Sequence, residues 1–355
     1  MTTTPPFGAQ GTPQRVVDAH SHVIPPQLVE AMRTGSAPDG ITLAEVDGRA
    51  WVVHRQGYRY PLLPGFHDTG AKLDTMDATG VSVSVLSPAP PLFLYWVEAA
   101  EAVAAARQVN DAVAAMVTEA PDRFAGLATL PMQDPDAAAA ELRRAVVELG
   151  LRGAQVGPHV EGVGLDDPSL RPVLQTAQEL GVPLVLHPYY VGAATGELAD
   201  FYLTNLQGNP WQTAVAASRL ILSGTLDELP GLRLLLVHGG GHLPYQVGRL
   251  DHGHRVRPEA ARPQQPPSAY LRRFWFDTLT HDADATRFLV DKVGDDRVVL
   301  GTDDPFDMAG GTFAEQTAAV PAGAYDLARL AAGNADALFG LQAPAPGHDD
   351  SEDPA

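Results

Sequence analysis

His20 and His22 close an apolar run, Arg15-Val16-Val17-Asp18-Ala19-His20-Ser21-His22. Residues two apart on a strand point to the same side, so the two imidazoles can share one metal ion. Three later apolar runs end in a similar way: 183–186 leads into His187-Pro188, 234–237 into His238-Gly239-Gly240-Gly241, and 298–302 into Asp303. Three imidazoles and a carboxylate form an N/O donor set that suits zinc and leaves a further position for water or substrate. His238 is then the candidate acid or base, because imidazole titrates in the working range. Asp303 can bind the ion and also pass a proton.

Four strand ends so far apart in sequence need a scaffold that gathers them. Continuous apolar stretches bounded by turn residues mark parallel strands buried on both faces. Eight are present, at 15–22, 81–86, 125–131, 153–157, 183–186, 234–237, 274–278 and 298–302. Helical stretches fall between them at 97–119, 135–149 with Asp134 as N-cap, 168–180, 210–218 and 284–293. The pattern predicts an α/β protein, a (β/α)8 TIM barrel, which sets every strand's C-terminal end on one face. Residues 25–71 exceed a simple connection and predict an insertion over the barrel mouth, with 189–207 as a second candidate. Phe93, Tyr95 and Trp96 follow the second strand as a candidate aromatic wall of a substrate pocket. His159 and His281 follow the fourth and seventh strands and are candidate substrate contacts. One domain over 15–342 is expected, between a disordered N-terminus (1–14) and a disordered acidic tail (343–355).

Composition narrows the partners. The chain has no cysteine, which removes disulfides and thiolate ligands and leaves His and Asp/Glu to hold one divalent ion. A formal charge of −19 disfavours nucleic acid and anionic membranes. No apolar stretch is long enough to cross a bilayer, and no charged-then-apolar leader is visible. The expectation is a soluble, cytoplasmic protein acting on a small molecule.

Further motifs carry a resemblance: Met76-Asp77-Ala78-Thr79-Gly80-Val81, His238-Gly239-Gly240-Gly241-His242-Leu243-Pro244-Tyr245 with Gly248-Arg249, and Gly301-Thr302-Asp303-Asp304-Pro305-Phe306. With Asp18-Ala19-His20-Ser21-His22 and His187-Pro188, they make the chain from about 16 to about 340 resemble the aminocarboxymuconate-semialdehyde decarboxylase-like branch of the amidohydrolase superfamily. The resemblance implies an amidohydrolase-type barrel with one zinc on His20, His22, His187 and Asp303, and His238 activating water or handling the proton. It also implies that Arg249 reaches across a dimer interface to a substrate carboxylate, hence a homodimer or higher oligomer. The fourth strand, Gln155-Val156-Gly157, offers no lysine for carbamylation, which supports a single ion.

The chain departs from the family pattern in three places. Val52 aligns with a second carboxylate-binding arginine, with Arg55 and Arg59 nearby, while Asn205 and Asp304 stand where the family has aromatics. The namesake compound is therefore not the expected substrate. The expected function is a zinc-dependent nonoxidative decarboxylase of a small unsaturated or aromatic carboxylic acid. The alternative is a hydrolase of a carbon-carbon, ester, lactone or amide bond using the same metal-bound water. Spacing does not separate the two; Arg249 favours decarboxylation, because a guanidinium suits a carboxylate.

Overall fold

Valine, leucine and phenylalanine dominate eight short segments that are buried on both faces and pair in parallel. They are β1 (Val17–Val23), β2 (Val83–Pro88), β3 (Phe124–Gly126), β4 (Ala154–Val156), β5 (Pro183–Leu186), β6 (Arg233–Leu236), β7 (Phe274–Asp277) and β8 (Val298–Val299). One arc runs β1-β2-β3 and the other β4-β5-β6-β7-β8. Isolated parallel bridges join them, Ala128 to Ala154 at one seam, and Asp18 to Leu300 and Ser21 to Asp304 at the other. The result is the (β/α)8 barrel that the alternation of strands and helices predicts. The computed structural model describes residues 13–55, 58–189, 196–321 and 323–341. The stretches expected to be disordered, 1–14 and 343–355, lie outside these except for Pro13 and Gln14, and so does 190–195 of the second expected insertion.

A cluster of Val17, Ala19, Val83, Val85, Leu127, Val185, Leu235 and Val299 fills the barrel, and Ala335, Leu338 and Phe339 of the helix Asn334–Phe339 pack against it. Val17 and Ala19 belong to that interior set, yet His20 and His22 also face the axis. The β1–β2 register shifts between Asp18 and Ser21, and this change of phase turns the histidine pair inward. A larger cluster packs the outer helices onto the strands.

The helices Ala99–Glu119, Pro135–Val147, Arg171–Leu180, Asn209–Leu222 and Ala283–Val293 fall close to their expected places. Asp134 caps its helix, with its side chain accepting the Ala137 N–H at 3.0 Å. Two boundaries differ from expectation. Pro168–Leu170 is a 3-10 turn ahead of the helix. The helix expected to stop at Ser218 continues to Leu222, because Ser218 turns its hydroxyl back to the Ala214 carbonyl while Leu220 and Ile221 stay buried.

Residues 25–71 hold the helix Pro26–Thr34 and a three-stranded antiparallel sheet of Ile41–Val46, Arg49–His54 and Arg59–Pro61. The sheet reaches the barrel mouth through rings. Tyr60 meets Phe306 edge to face (5.0 Å between centroids), and Phe306 in turn lies 5.1 Å from His22. The helix Thr69–Thr79, N-capped by Asp68, then carries the chain to β2.

Candidate metal centre

Each ligand arrives on a strand end. His20 and His22 come from β1, His187 follows β5, and Asp303 follows β8. One ligand atom from each lies within 4.8 Å of all the others, and all four residues are buried. His22 Nε2 is 2.9 Å from Asp303 Oδ1, His20 Nε2 is 3.1 Å from His22 Nε2, and His187 Nε2 is 3.9 Å from Asp303 Oδ1. Donors arranged tetrahedrally about zinc at 2.0–2.1 Å sit roughly 3.4 Å apart, so these separations bracket a metal cage.

The donor chemistry fits an ion too. His20 Nδ1–H donates to Asp277 Oδ2 at 2.7 Å, and His187 Nδ1–H donates to the Pro188 carbonyl at 2.7 Å. With an ion held, these bonds leave Nε2 of each ring as the lone pair that faces it. His187 Nε2 and Asp303 Oδ1 are buried and lack an aligned hydrogen bond, a costly arrangement unless a cation is their partner. Burial pushes His22 down to about 3 and also lowers His187, which keeps both imidazoles neutral donors. Burial also opposes charge on His20, but hydrogen bonds to Asp277 and Asp303 outweigh it and raise that group to about 10. Burial likewise opposes ionisation of Asp303, yet the surrounding histidines hold its carboxyl well below the ordinary range. Asp277 and Asp303 beside the imidazoles favour a positive charge at this point, carried by the His20 ring or by an ion that displaces its Nε2 proton.

His238 stands beside the cage. Its ring centroid is 5.3 Å from those of His20 and His187, and its Nδ1 is buried without a partner. Burial, then His187 and His20, lower its pKa to about 3. Its backbone is left-handed (φ 56°), as are those of His281 (φ 57°) and Asp303 (φ 61°). Non-glycine residues held there carry strain that is tolerated where a side chain must be aimed. The glycines after His238 have a steric reason. Gly241 (φ 61°) is so close to Pro210 that a Cβ would lie 1.9 Å from its carbonyl oxygen.

Two cavities open from the cage and share Asn205, Asn209, Asp303 and Met308. The first, about 410 Å³, has His238, His281, Gly239 and Gly241 at its polar end and Pro210, Pro244, Leu279, Phe288 and Leu289 on its walls. The second, about 120 Å³, runs beneath the inserted sheet between His187, Arg59, Tyr60 and Phe306. Asn205 therefore lines the space, as its alignment with a family aromatic suggests. Asp304 does not; its carboxylate turns to Lys72 at 2.7 Å.

His20, His22, His187, Asp303 and His238 meet, and His281 joins them at the wall. Phe93, Trp96, His159 and Arg249 line neither cavity. Phe93 is buried and stacks on Tyr95 at 5.3 Å, while Trp96 donates its Nε1–H to the Asp39 carbonyl. His159 packs on Tyr189 at 5.5 Å. Arg249 lies exposed on the helix Leu243–Val256, beside a separate surface groove. Sequence reading missed Asp277 and Lys72. Asp277 ends the run Phe274-Trp275-Phe276, the same signature that exposes the other site residues.

A closed parallel barrel with a His3Asp cage at its C-terminal mouth defines a metal-dependent (β/α)8 protein. The amidohydrolase family model Amidohydro_2 matches residues 17–341, and the chain belongs to that family. It is 34% identical over 309 residues to 2-amino-3-carboxymuconate-6-semialdehyde decarboxylase of Dictyostelium discoideum, covering 82% of this chain and 81% of that one. Among solved structures, 5-carboxyvanillate decarboxylase of Sphingomonas paucimobilis superposes with a TM-score of 0.79 at 28% identity, over 93% of this chain and 100% of that one. A dihydroxybenzoic acid decarboxylase of Polaromonas sp. JS666, with bound manganese and the inhibitor 2-nitroresorcinol, gives 0.73 at 26% identity, over 92% and 97%. No helix among the described residues is long and apolar enough to cross a membrane.

Proposed function

We propose that the protein is a zinc-dependent nonoxidative decarboxylase of a small aromatic or otherwise conjugated carboxylic acid, working as a homodimer. The observation that carries this reading is the convergence of four ligand atoms, one of them on Asp303, which together with His238 lines an apolar cavity large enough for one substituted ring. The named relatives, decarboxylases of carboxylated and conjugated compounds, support the same class.

Loss of carbon dioxide leaves an electron pair on a carbon, and a proton must replace the carboxyl group there. Conjugation to an oxygen lets that pair spread before the proton arrives. A divalent ion held by His20, His22, His187 and Asp303 supplies positive charge for an anionic substrate oxygen. His238 lines the cavity with a buried, unpartnered ring nitrogen and is placed to take up a proton in passing and relay it to that carbon. Leu279, Phe288 and Leu289 hold the ring in one plane and exclude water.

Among the described residues lining the two cavities, Arg59 is the one guanidinium or ammonium group, and it suits a second anionic substituent. Arg249, outside both cavities on an exposed helix, is assigned to the cavity of a neighbouring subunit. Three nitrogens and one oxygen suit zinc; the manganese of the Polaromonas relative makes metal exchange part of the test.

Protein stripped by chelator and reloaded with Zn²⁺ or Mn²⁺ is incubated with aromatic and dienoic acids, beside matching esters and lactones, and followed by mass spectrometry. The expected result is loss of carbon dioxide that needs the ion and disappears in His238→Ala. Uptake of water into the products would overturn the proposal in favour of hydrolysis.

A further inference from the structure

Lysine is seldom fully buried unless its charge is paired. Lys72 is 1% exposed, one turn into the helix Thr69–Thr79, and lines neither cavity. Its ammonium has three donors and three acceptors: the His22 carbonyl at 3.1 Å, the Asp304 carbonyl at 3.1 Å and Asp304 Oδ2 at 2.7 Å.

Those acceptors flank one of the two joints of the barrel that are closed by isolated bridges and not by a ladder. β8 is two residues long and pairs in a ladder only with β7. Toward β1 it offers isolated bridges, helped by the His22 N–H to the Asp304 carbonyl (2.8 Å) and the Asp303 N–H to the His20 carbonyl (2.8 Å). The metal ligands straddle this joint, with His20 and His22 on one side and Asp303 on the other. A slip of one side against the other would open the 2.9 Å approach of His22 Nε2 to Asp303 Oδ1.

We infer that Lys72 is a positioning residue for the metal site, a buried ammonium that clamps the β1 end to the loop after β8 and holds Asp303 in ligating register with His22. This rests on the reading of the cage as a metal site. The clamp acts from behind the ligands, so it governs ion affinity and not substrate contact.

The test separates ion binding from folding. Full-length wild type, Lys72→Met, Asp304→Asn and the double variant Lys72→Met/Asp304→Asn are titrated with Zn²⁺ and with Mn²⁺ against a chelating indicator, and their thermal midpoints are taken with chelator present. Lys72→Met strands a carboxylate and lowers the midpoint; the double variant removes that charge and recovers most of the loss. The expected result is that the double variant, folded, still binds the ion about 10–100-fold more weakly than wild type, the range for groups that orient metal ligands. Asp304→Asn, which keeps both carbonyl bonds to Lys72, stays near the wild-type affinity. At saturating ion the KM of the double variant matches wild type. A folded double variant with wild-type ion affinity overturns the inference. A wild type that takes up neither ion overturns the metal reading itself, and the clamp with it.

Discussion

Asp277→Asn is the sharpest perturbation of the site, because it changes charge and hydrogen-bond polarity with almost no change of shape. The native carboxylate uses both oxygens as acceptors. Oδ2 takes His20 Nδ1–H at 2.7 Å, and Oδ1 takes the Gly239 N–H at 2.7 Å and the Leu279 N–H at 3.3 Å. Asparagine has one acceptor oxygen and one NH2. If the oxygen keeps the two backbone N–H groups, the NH2 faces His20 Nδ1 and forces its proton to Nε2, the atom that must hold the ion. If the amide flips, two buried backbone donors meet an NH2 group, at about 1–3 kcal/mol each. The first arrangement wins, and the cage loses a ligand lone pair together with one negative charge. The expected loss of ion affinity is about 10–100-fold, or about 1.4–2.8 kcal/mol. Competition titration with a chelating indicator measures it, and circular dichroism checks the fold. Turnover recovers in part at saturating ion, because the Gly239 contact that sets the His238 turn is retained. A folded Asp277→Asn protein that binds Zn²⁺ and Mn²⁺ as tightly as wild type would refute the role given to this carboxylate.

Three further outcomes are expected. His238→Asn lowers turnover about 10²–10⁴-fold while ion affinity stays at the wild-type value; a parallel loss of both would make His238 part of the cage. Chains carrying His238→Ala and chains carrying Arg249→Ala, each inactive alone, regain activity when mixed, up to about a quarter of wild-type sites for random dimers. No recovery would place Arg249 outside a neighbour's site. Burial, against the Thr302 and His20 hydrogen bonds, raises the Asp18 carboxyl to about 6 from 3.8. A carboxyl raised on folding contributes most below its unfolded pKa and loses that contribution as pH rises through the folded value. Relative to Asp18→Asn, the wild type should therefore lose up to about 3 kcal/mol between about pH 4 and 7, by urea denaturation with chelator present. A pH-independent difference would contradict the burial argument.

The barrel was legible because each strand announces itself locally. An apolar run such as Leu234-Leu235-Leu236-Val237 fits only a position covered on both faces, and a histidine just after it falls at the mouth. That rule located His20, His22, His187, His238 and Asp303. Applied to Phe274-Trp275-Phe276, it locates Asp277 equally well, so that residue lay within reach of the same signal. Position at a strand end fixes height along the barrel axis and leaves side-chain direction open. His159 and Trp96 also follow barrel strands, but one packs on Tyr189 and the other against His54 and Asp39. His281 differs because a left-handed backbone turns it into the cavity.

What holds the ligands in place is less visible than the ligands, and the reason is separation along the chain. Asp277 lies 257 residues from His20, and Lys72 lies 232 from Asp304. Lys72 sits in Thr69-Gly70-Ala71-Lys72-Leu73-Asp74, a stretch with the polarity of an exposed helix face, and nothing nearby in sequence predicts a buried ammonium. Its burial follows from closure of the barrel, which brings the first strand against the last and leaves a joint with few ladder bonds. The Asp18–Thr302 bonds tie that joint from within, and the chain adds cross-links to the ligand side from β7 and from the helix before β2. Ion affinity is therefore a property of barrel closure as much as of the His3Asp set. For that reason substitutions at Asp277 and Lys72 should move metal binding even though neither residue is one of the four ligands.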